Sequence, residues 1–151
     1  MLFLALLYRV WLLVYATESS YPHFPYNLTL STFHLRNIII FEGRIPYVGS
    51  ADSKHWLETL TKLETDGLNV LIPGHGPAST HPQNTIKLTR KYLAYLRDKM
   101  GAAVEEFTPF DEVYSATNWS EFATLPAFKE GNRKNAYQVY LSMEAEFLQE
   151  E

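Results

Sequence analysis

An alternation of short apolar runs with one amphipathic stretch constrains the fold of this chain more than any other feature of its sequence. Ile38 to Phe41 form a β-branched and aromatic run that ends at Gly43, and Leu68 to Ile72 form a second apolar run. Apolar runs of this length that end at glycine or proline are typical of buried strands. Between them, apolar residues recur at helical spacing. The order strand, helix, strand predicts an α/β layered protein.

The helix between these two runs has a clear predicted start and end. Asp52 or Ser53 can cap its N-terminus through a side-chain oxygen, and Gly67 is expected to end it. Its predicted apolar face consists of Trp56, Leu57, Leu60 and Leu63.

Two longer helices are predicted in the second half of the chain. One begins near Pro82 and stops before Gly101, and its apolar stripe comprises Ile86, Leu88, Tyr92, Leu93, Tyr95 and Leu96. The last runs from about Ala127 to Phe147, with Ala136, Val139, Tyr140 and Met143 on the same side as Phe147. Shorter helical pieces are predicted over residues 102 to 125, with Pro109 and Pro126 as boundaries.

The segment from Pro73 to Pro77 carries the residue with the clearest chemical potential. His75 lies between Gly74 and Gly76, directly after the second apolar run. Open α/β sheets place their sites at such strand ends, and glycines allow an imidazole to approach an ion closely. A neutral imidazole is a common zinc ligand. From the residues alone, His75 is either a metal ligand or a loop histidine held by hydrogen bonds.

A set of short motifs follows the chain from residue 43 to residue 141. They are Gly43-Arg44-Ile45-Pro46-Tyr47-Val48-Gly49, Asp52-Ser53, Trp56-Leu57, Leu60, Ile72-Pro73-Gly74-His75-Gly76-Pro77, Leu125-Pro126-Ala127-Phe128, Asn132-Arg133, Asn135-Ala136-Tyr137 and Val139-Tyr140-Leu141. Together these motifs resemble the second half of the metallo-β-lactamase-fold hydrolases, in particular members associated with sulfur oxidation and quinoproteins. The resemblance covers residues 37 to 151. It implies the C-terminal half of an αββα sandwich, followed by a helical C-terminal tail.

The same resemblance implies a function. In that family the Pro-Gly-His-Gly turn presents the last histidine of a site for two zinc ions, which here would be His75. The zinc-activated water hydrolyses ester, thioester or lactam bonds of small molecules.

The chain departs from the family pattern at the other metal ligands. The family's His-x-His-x-Asp-His motif is missing, and His23 and His34 do not stand in matching contexts. The position expected for the bridging aspartate is Ile38, which cannot bind a metal. Among the family's ligands, His75 alone has a match. Because a catalytic zinc needs three protein ligands, we expect weak metal affinity, negligible hydrolysis and a truncated or divergent family member.

Other potential ligands are weaker candidates. His81 precedes a proline in a loop, so solvent exposure is expected, and His55 is expected at the surface or in packing. Glu42 and Asp52 lie near the relevant loop, but Asp52 is better suited to capping a helix. No serine–histidine–aspartate set or phosphate-binding loop is apparent in the sequence.

Residues 1–36 have no family likeness and are left unassigned, whereas residues 37–151 are assigned to the partial domain. Met1 to Ala16 is nearly all apolar. One interpretation of this segment is an export signal or membrane anchor, which implies an exported or membrane-attached protein. The other is a buried or spurious hydrophobic segment, which implies a cytoplasmic protein. Because likeness and ligands disappear together near Asn37, a truncated or frame-shifted gene is a further hypothesis.

Composition narrows the partners. The chain has no cysteine, which excludes disulfides and zinc–thiolate sites, and its formal net charge of -4 argues against nucleic acid as a binding partner.

The alternative to a hydrolase is a non-catalytic remnant or interaction subunit that needs a partner. Half of a sandwich would expose an apolar sheet face, so an oligomer that covers this face is expected.

Overall fold

The computed structural model describes residues 43–65, 68, 70–73 and 77–150. Within these ranges the chain forms four helices, which are α1 (Ser53–Thr65), α2 (Pro82–Glu105), α3 (Phe110–Ala116) and α4 (Phe128–Glu150). The longest of them, α2, packs against each of the other three.

The hydrophobic core lies along α2, between α1 and α4. The buried apolar side chains are Ile45, Val48, Trp56, Leu60, Leu63, Leu68, Leu71, Ile86, Tyr92, Leu93, Leu96, Met100, Phe122, Ala136 and Val139. Most of the apolar positions predicted for the three long helices are in this set, while Leu57, Tyr95, Tyr140 and Met143 pack against its edge. The apolar spacing of the sequence therefore predicted the buried faces of these helices correctly.

The predicted cap of α1 is confirmed. The Asp52 carboxylate accepts a hydrogen bond from the backbone N–H of His55 at 2.9 Å, so it satisfies one of the free N–H groups at the start of α1. Pro109 directly precedes α3, as its predicted boundary role requires. Gly67, the predicted end of α1, lies outside the described residues.

Helices α2 and α4 run in the same direction. Tyr92, in the first half of α2, contacts Asn132 in the first two turns of α4. At the far end, the Phe107 and Phe147 rings meet edge to face with their centroids 6.0 Å apart. The C-termini of the two longest helices therefore lie at the same end of the molecule.

The prediction that the second helix stops before Gly101 was wrong, because α2 continues to Glu105. Gly101 lies inside the helix, where a Cβ atom would come within 3.0 Å of the terminal methyl carbon of Met143. Glycine costs helix stability relative to alanine, but here its missing side chain allows α4 to approach closely. Packing against α4 thus outweighs the local tendency of glycine to end a helix.

The predicted α/β sandwich was also wrong. The described residues contain no sheet, and the strand predicted over Leu68 to Ile72 is reduced to one antiparallel bridge between Leu71 and Ser79. Their two backbone hydrogen bonds measure 2.9 and 2.8 Å. A short apolar run can be buried by helices as well as by a sheet, since strand formation depends on distant pairing partners.

The remaining predictions about the fold fall partly outside the described ranges. The strand predicted from Ile38 to Phe41 lies there, as does the apolar segment from Met1 to Ala16. Among the helices that the structure describes, none is both long and apolar enough to cross a membrane.

Candidate functional site

Asn135 of α4 holds the loop that precedes α1. Its Oδ1 accepts a hydrogen bond from the backbone N–H of Val48 at 2.9 Å, and its Nδ2 donates to the carbonyl oxygen of Pro46 at 2.6 Å. The loop is also anchored where the N–H of Ile45 donates to the Pro126 carbonyl at 3.3 Å. The three contacts join residues 87, 89 and 81 positions apart, so they fix the loop to the C-terminal part of the chain.

Asn135 belongs to a polar network inside the helix bundle, formed with Asn132, Tyr92 and Tyr114. The Tyr92 hydroxyl donates to Asn132 Oδ1 at 2.9 Å and accepts from Asn135 Nδ2 at 3.1 Å. Asn132 Nδ2 in turn donates to the Tyr114 hydroxyl at 3.1 Å. Both asparagines are buried, and each is satisfied by partners of the correct type.

The ionisation of Tyr92 is suppressed in this network. Burial raises the pKa of its hydroxyl far above the ordinary value near 10, because the phenolate would lose its hydration. The hydrogen bond from Asn135 lowers this pKa in part, and the nearby Tyr114 raises it further. Tyr92 therefore remains a neutral donor over the physiological pH range. The network is suited to holding a loop in place rather than to transferring protons.

A second polar contact joins α1, α2 and α4. The guanidinium of Arg97 pairs with both carboxylate oxygens of Glu146, at 2.9 and 2.6 Å, and it also donates to Ser53 Oγ at 2.9 Å. The hydrogen bonds from Arg97 lower the pKa of the Glu146 carboxyl. Beside this pair an open groove of about 540 Å³ separates the Gly49–Asp52 turn from α4.

The most specific predicted ligand cannot be placed. His75 lies outside the described residues, and so do Ile38, Glu42, His23 and His34. Two loops flank the predicted site. The structure describes residues Arg44–Gly49 of the first loop, and Ile72 and Pro73 of the second.

The predicted ligands that the structure does describe do not converge. The His81 side chain is exposed, and its Nδ1 lies 3.2 Å from Thr80 Oγ1. His55 lies on the surface of α1, with Nδ1 3.9 Å from the Glu58 carboxylate, while Asp52 is engaged as the α1 cap. Within the described ranges no group of three or more histidine, aspartate or glutamate side chains could hold a metal ion. The described donors thus do not fit a pair of zinc ions.

Sequence reasoning missed the roles of Asn132 and Asn135, although both stand in the motifs that carry the family resemblance. A signal was present: the two asparagines are three residues apart and share a helix face with Ala136 and Val139, which are buried. Polar residues on an apolar helix face must find buried hydrogen-bond partners. Which partners they find depends on the tertiary structure.

Comparisons with protein-family models, with curated proteins and with solved structures find no match to this chain. Its function is therefore inferred from its own motifs and geometry.

Proposed function

We propose that this chain is a divergent, non-catalytic member of the metallo-β-lactamase-type hydrolases. The described helices hold the Arg44–Gly49 loop, and the described residues do not by themselves assemble a catalytic metal site. One observation carries the proposal: Asn135 bonds to the backbone of Pro46 and Val48. Two separate segments of the resemblance, the loop and the helical tail, are thereby joined in space.

The way in which the loop is held supports a positioning role. Pro46 and Val48 are buried, and Asn135 satisfies one carbonyl and one N–H of this irregular backbone segment. Buried backbone groups outside regular structure need such partners. Tyr47 between them is 68% exposed, so the loop keeps its backbone inside and presents one aromatic side chain to the surroundings.

The donor set argues against hydrolysis by this chain alone. In the family, bound zinc supplies an activated water and polarises the scissile bond. Here the position expected for the bridging carboxylate is Ile38, and the described carboxylates and histidines do not converge. His75 by itself leaves at least two of the three ligand positions of a catalytic zinc unfilled.

Metal content and turnover of the purified full-length chain test this proposal. We expect zinc well below one equivalent after dialysis, and no hydrolysis of p-nitrophenyl acetate, a thioester or a chromogenic β-lactam above the buffer rate with added zinc. His75→Ala is the variant of interest, and His55→Ala, on the exposed face of α1, is the matched control. Near-stoichiometric zinc together with turnover that His75→Ala abolishes would contradict the proposal.

The positioning role is tested by limited proteolysis with trypsin, which cleaves after the exposed Arg44. We expect Asn135→Ala to accelerate this cleavage, because it releases the backbone of Pro46 and Val48. Asn84→Ala, an exposed helical position on α2, controls for the effect of the substitution on helix propensity. Equal cleavage rates in the two variants would rule out a holding role for Asn135.

A second candidate function is an interaction subunit that needs a partner. Two large apolar side chains within the motif segments, those of Tyr47 and Ile72, are 68% and 61% exposed. Exposed apolar side chains beside an incomplete site are suited to contact with another chain. Size-exclusion chromatography with light scattering tests this candidate: a monomer at all concentrations argues against self-association, and an oligomer that Tyr47→Ser or Ile72→Ser dissociates supports it.

A further inference from the structure

An exposed aromatic side chain is displayed at the shared C-terminal end of α2 and α4. Phe107 is 80% exposed, and its ring meets the Phe147 ring at the edge of the bundle. The next residue on α4, Leu148, is 70% exposed. We call these three residues the terminal patch.

The backbone at Phe107 is strained. Its φ is +55°, in the left-handed region, where glycine is the usual residue. The N–H of Phe107 bonds to the Val104 carbonyl at 3.1 Å and that of Thr108 to the Ala103 carbonyl at 2.8 Å. These two bonds form a Schellman cap, which normally has glycine at this position. A large apolar side chain that gains little burial thus occupies a site where glycine would be favourable.

The surroundings of the terminal patch are acidic. Glu105 and Glu106 are both exposed and directly precede Phe107. Because α2 and α4 run in the same direction, both place the negative end of the helix dipole at this end of the molecule. Within these two described helices, neither last turn contains a basic residue. The negative potential is therefore not balanced by α2 or α4 themselves.

We infer that the terminal patch is a docking surface for a cationic amphipathic segment of a partner protein. Phe107 and Leu148 provide the apolar contact, while Glu105, Glu106 and the two helix ends attract the partner's lysine or arginine side chains. Charge complementarity of this kind selects a partner and accelerates association. The inference does not depend on metal binding or on the hydrolase family.

The probe is an 18-residue amphipathic helical peptide of leucine and lysine, compared with its leucine and glutamate counterpart by fluorescence anisotropy. We expect the full chain to bind the lysine peptide with a Kd that rises with salt, and not to bind the glutamate peptide. Phe107→Gly should weaken binding by about tenfold, as expected for an aromatic anchor. The double variant Glu105→Gln, Glu106→Gln should weaken binding and reduce its salt dependence.

Thermal stability separates docking from a structural role. Phe107→Gly relieves the left-handed strain, so its Tm should rise or stay unchanged while binding is lost. Tyr137→Ser, at a half-exposed apolar position in the first half of α4, should leave binding unchanged. The inference is overturned if Phe107→Gly binds the lysine peptide as tightly as the native chain, or if both peptides bind equally. It is likewise overturned if a dimer in light scattering becomes monomeric with Phe107→Gly, because the occupant is then a second copy.

Discussion

Replacing Asn135 with alanine tests the central contact of the structure. The substitution removes the hydrogen bonds to the Val48 N–H, the Pro46 carbonyl and the Tyr92 hydroxyl. Tyr92 still donates to Asn132, so its hydroxyl keeps a partner. The two backbone groups lie in buried residues and lose the partner that the side chain provides.

The expected cost follows from these losses. Leaving a buried donor or acceptor without a partner costs about 1–3 kcal/mol each. Alanine recovers roughly 0.5 kcal/mol through its higher helix propensity. We therefore expect Asn135→Ala to lower the free energy of unfolding by about 3 kcal/mol. For a chain of this size that corresponds to a Tm lower by roughly 10 °C.

Urea denaturation followed by circular dichroism and tryptophan fluorescence measures this change. Trp56 lies in α1 and Trp119 in the segment between α3 and α4, so fluorescence reports on both of these regions. Asn84→Ala on the exposed face of α2 should change the free energy of unfolding by less than about 0.5 kcal/mol. If Asn135→Ala costs less than about 1 kcal/mol, the Asn135 contacts do not hold the loop and the reasoning fails.

Two further predictions concern the ion pair and the core. The hydrogen bonds from Arg97 lower the pKa of the Glu146 carboxyl below its ordinary value near 4.5. The ion pair therefore contributes its full stabilisation at pH values above 4.5, and this contribution is lost as the pH falls through the lowered pKa. Glu146→Gln should thus reduce stability by about 0.5–1 kcal/mol at pH 7, since the pair is partly exposed. The difference from the native chain should disappear in urea titrations once the pH falls below the lowered pKa. Leu96 is fully buried between the helices, so Leu96→Ala should cost about 2–5 kcal/mol in the same assay, whereas Leu148→Ala, at a position 70% exposed, should cost less than about 0.5 kcal/mol.

The helices were predictable because their signals are local. Residues three and four positions apart share a helix face, so apolar spacing alone locates the buried side chains of α1, α2 and α4. The cap at Asp52 and the boundary at Pro109 depend on neighbouring residues only. The residues that produce the apolar spacing, the Asp52 cap and the Pro109 boundary lie within one or two helical turns of each other in the sequence.

The tertiary structure decided the features whose partners are distant. The Leu68–Ile72 run was predicted as part of a sheet, but a strand needs a neighbouring strand, and in the described residues Leu71 finds only Ser79. Gly101 was predicted to end a helix, yet it lies inside α2, where a Cβ atom would come within 3.0 Å of Met143 on α4.

The candidate site depends on tertiary structure for the same reason. The family resemblance predicts His75 as a metal ligand and Ile38 at the position of the bridging aspartate, and both predictions stay untested because these residues lie outside the described ranges. The sequence alone could not identify Asn135 as the residue that holds the Arg44–Gly49 loop, because its two backbone partners lie 87 and 89 positions earlier in the chain. Local chemistry determined which residues can act; packing of α2 against α4 determined which of them meet.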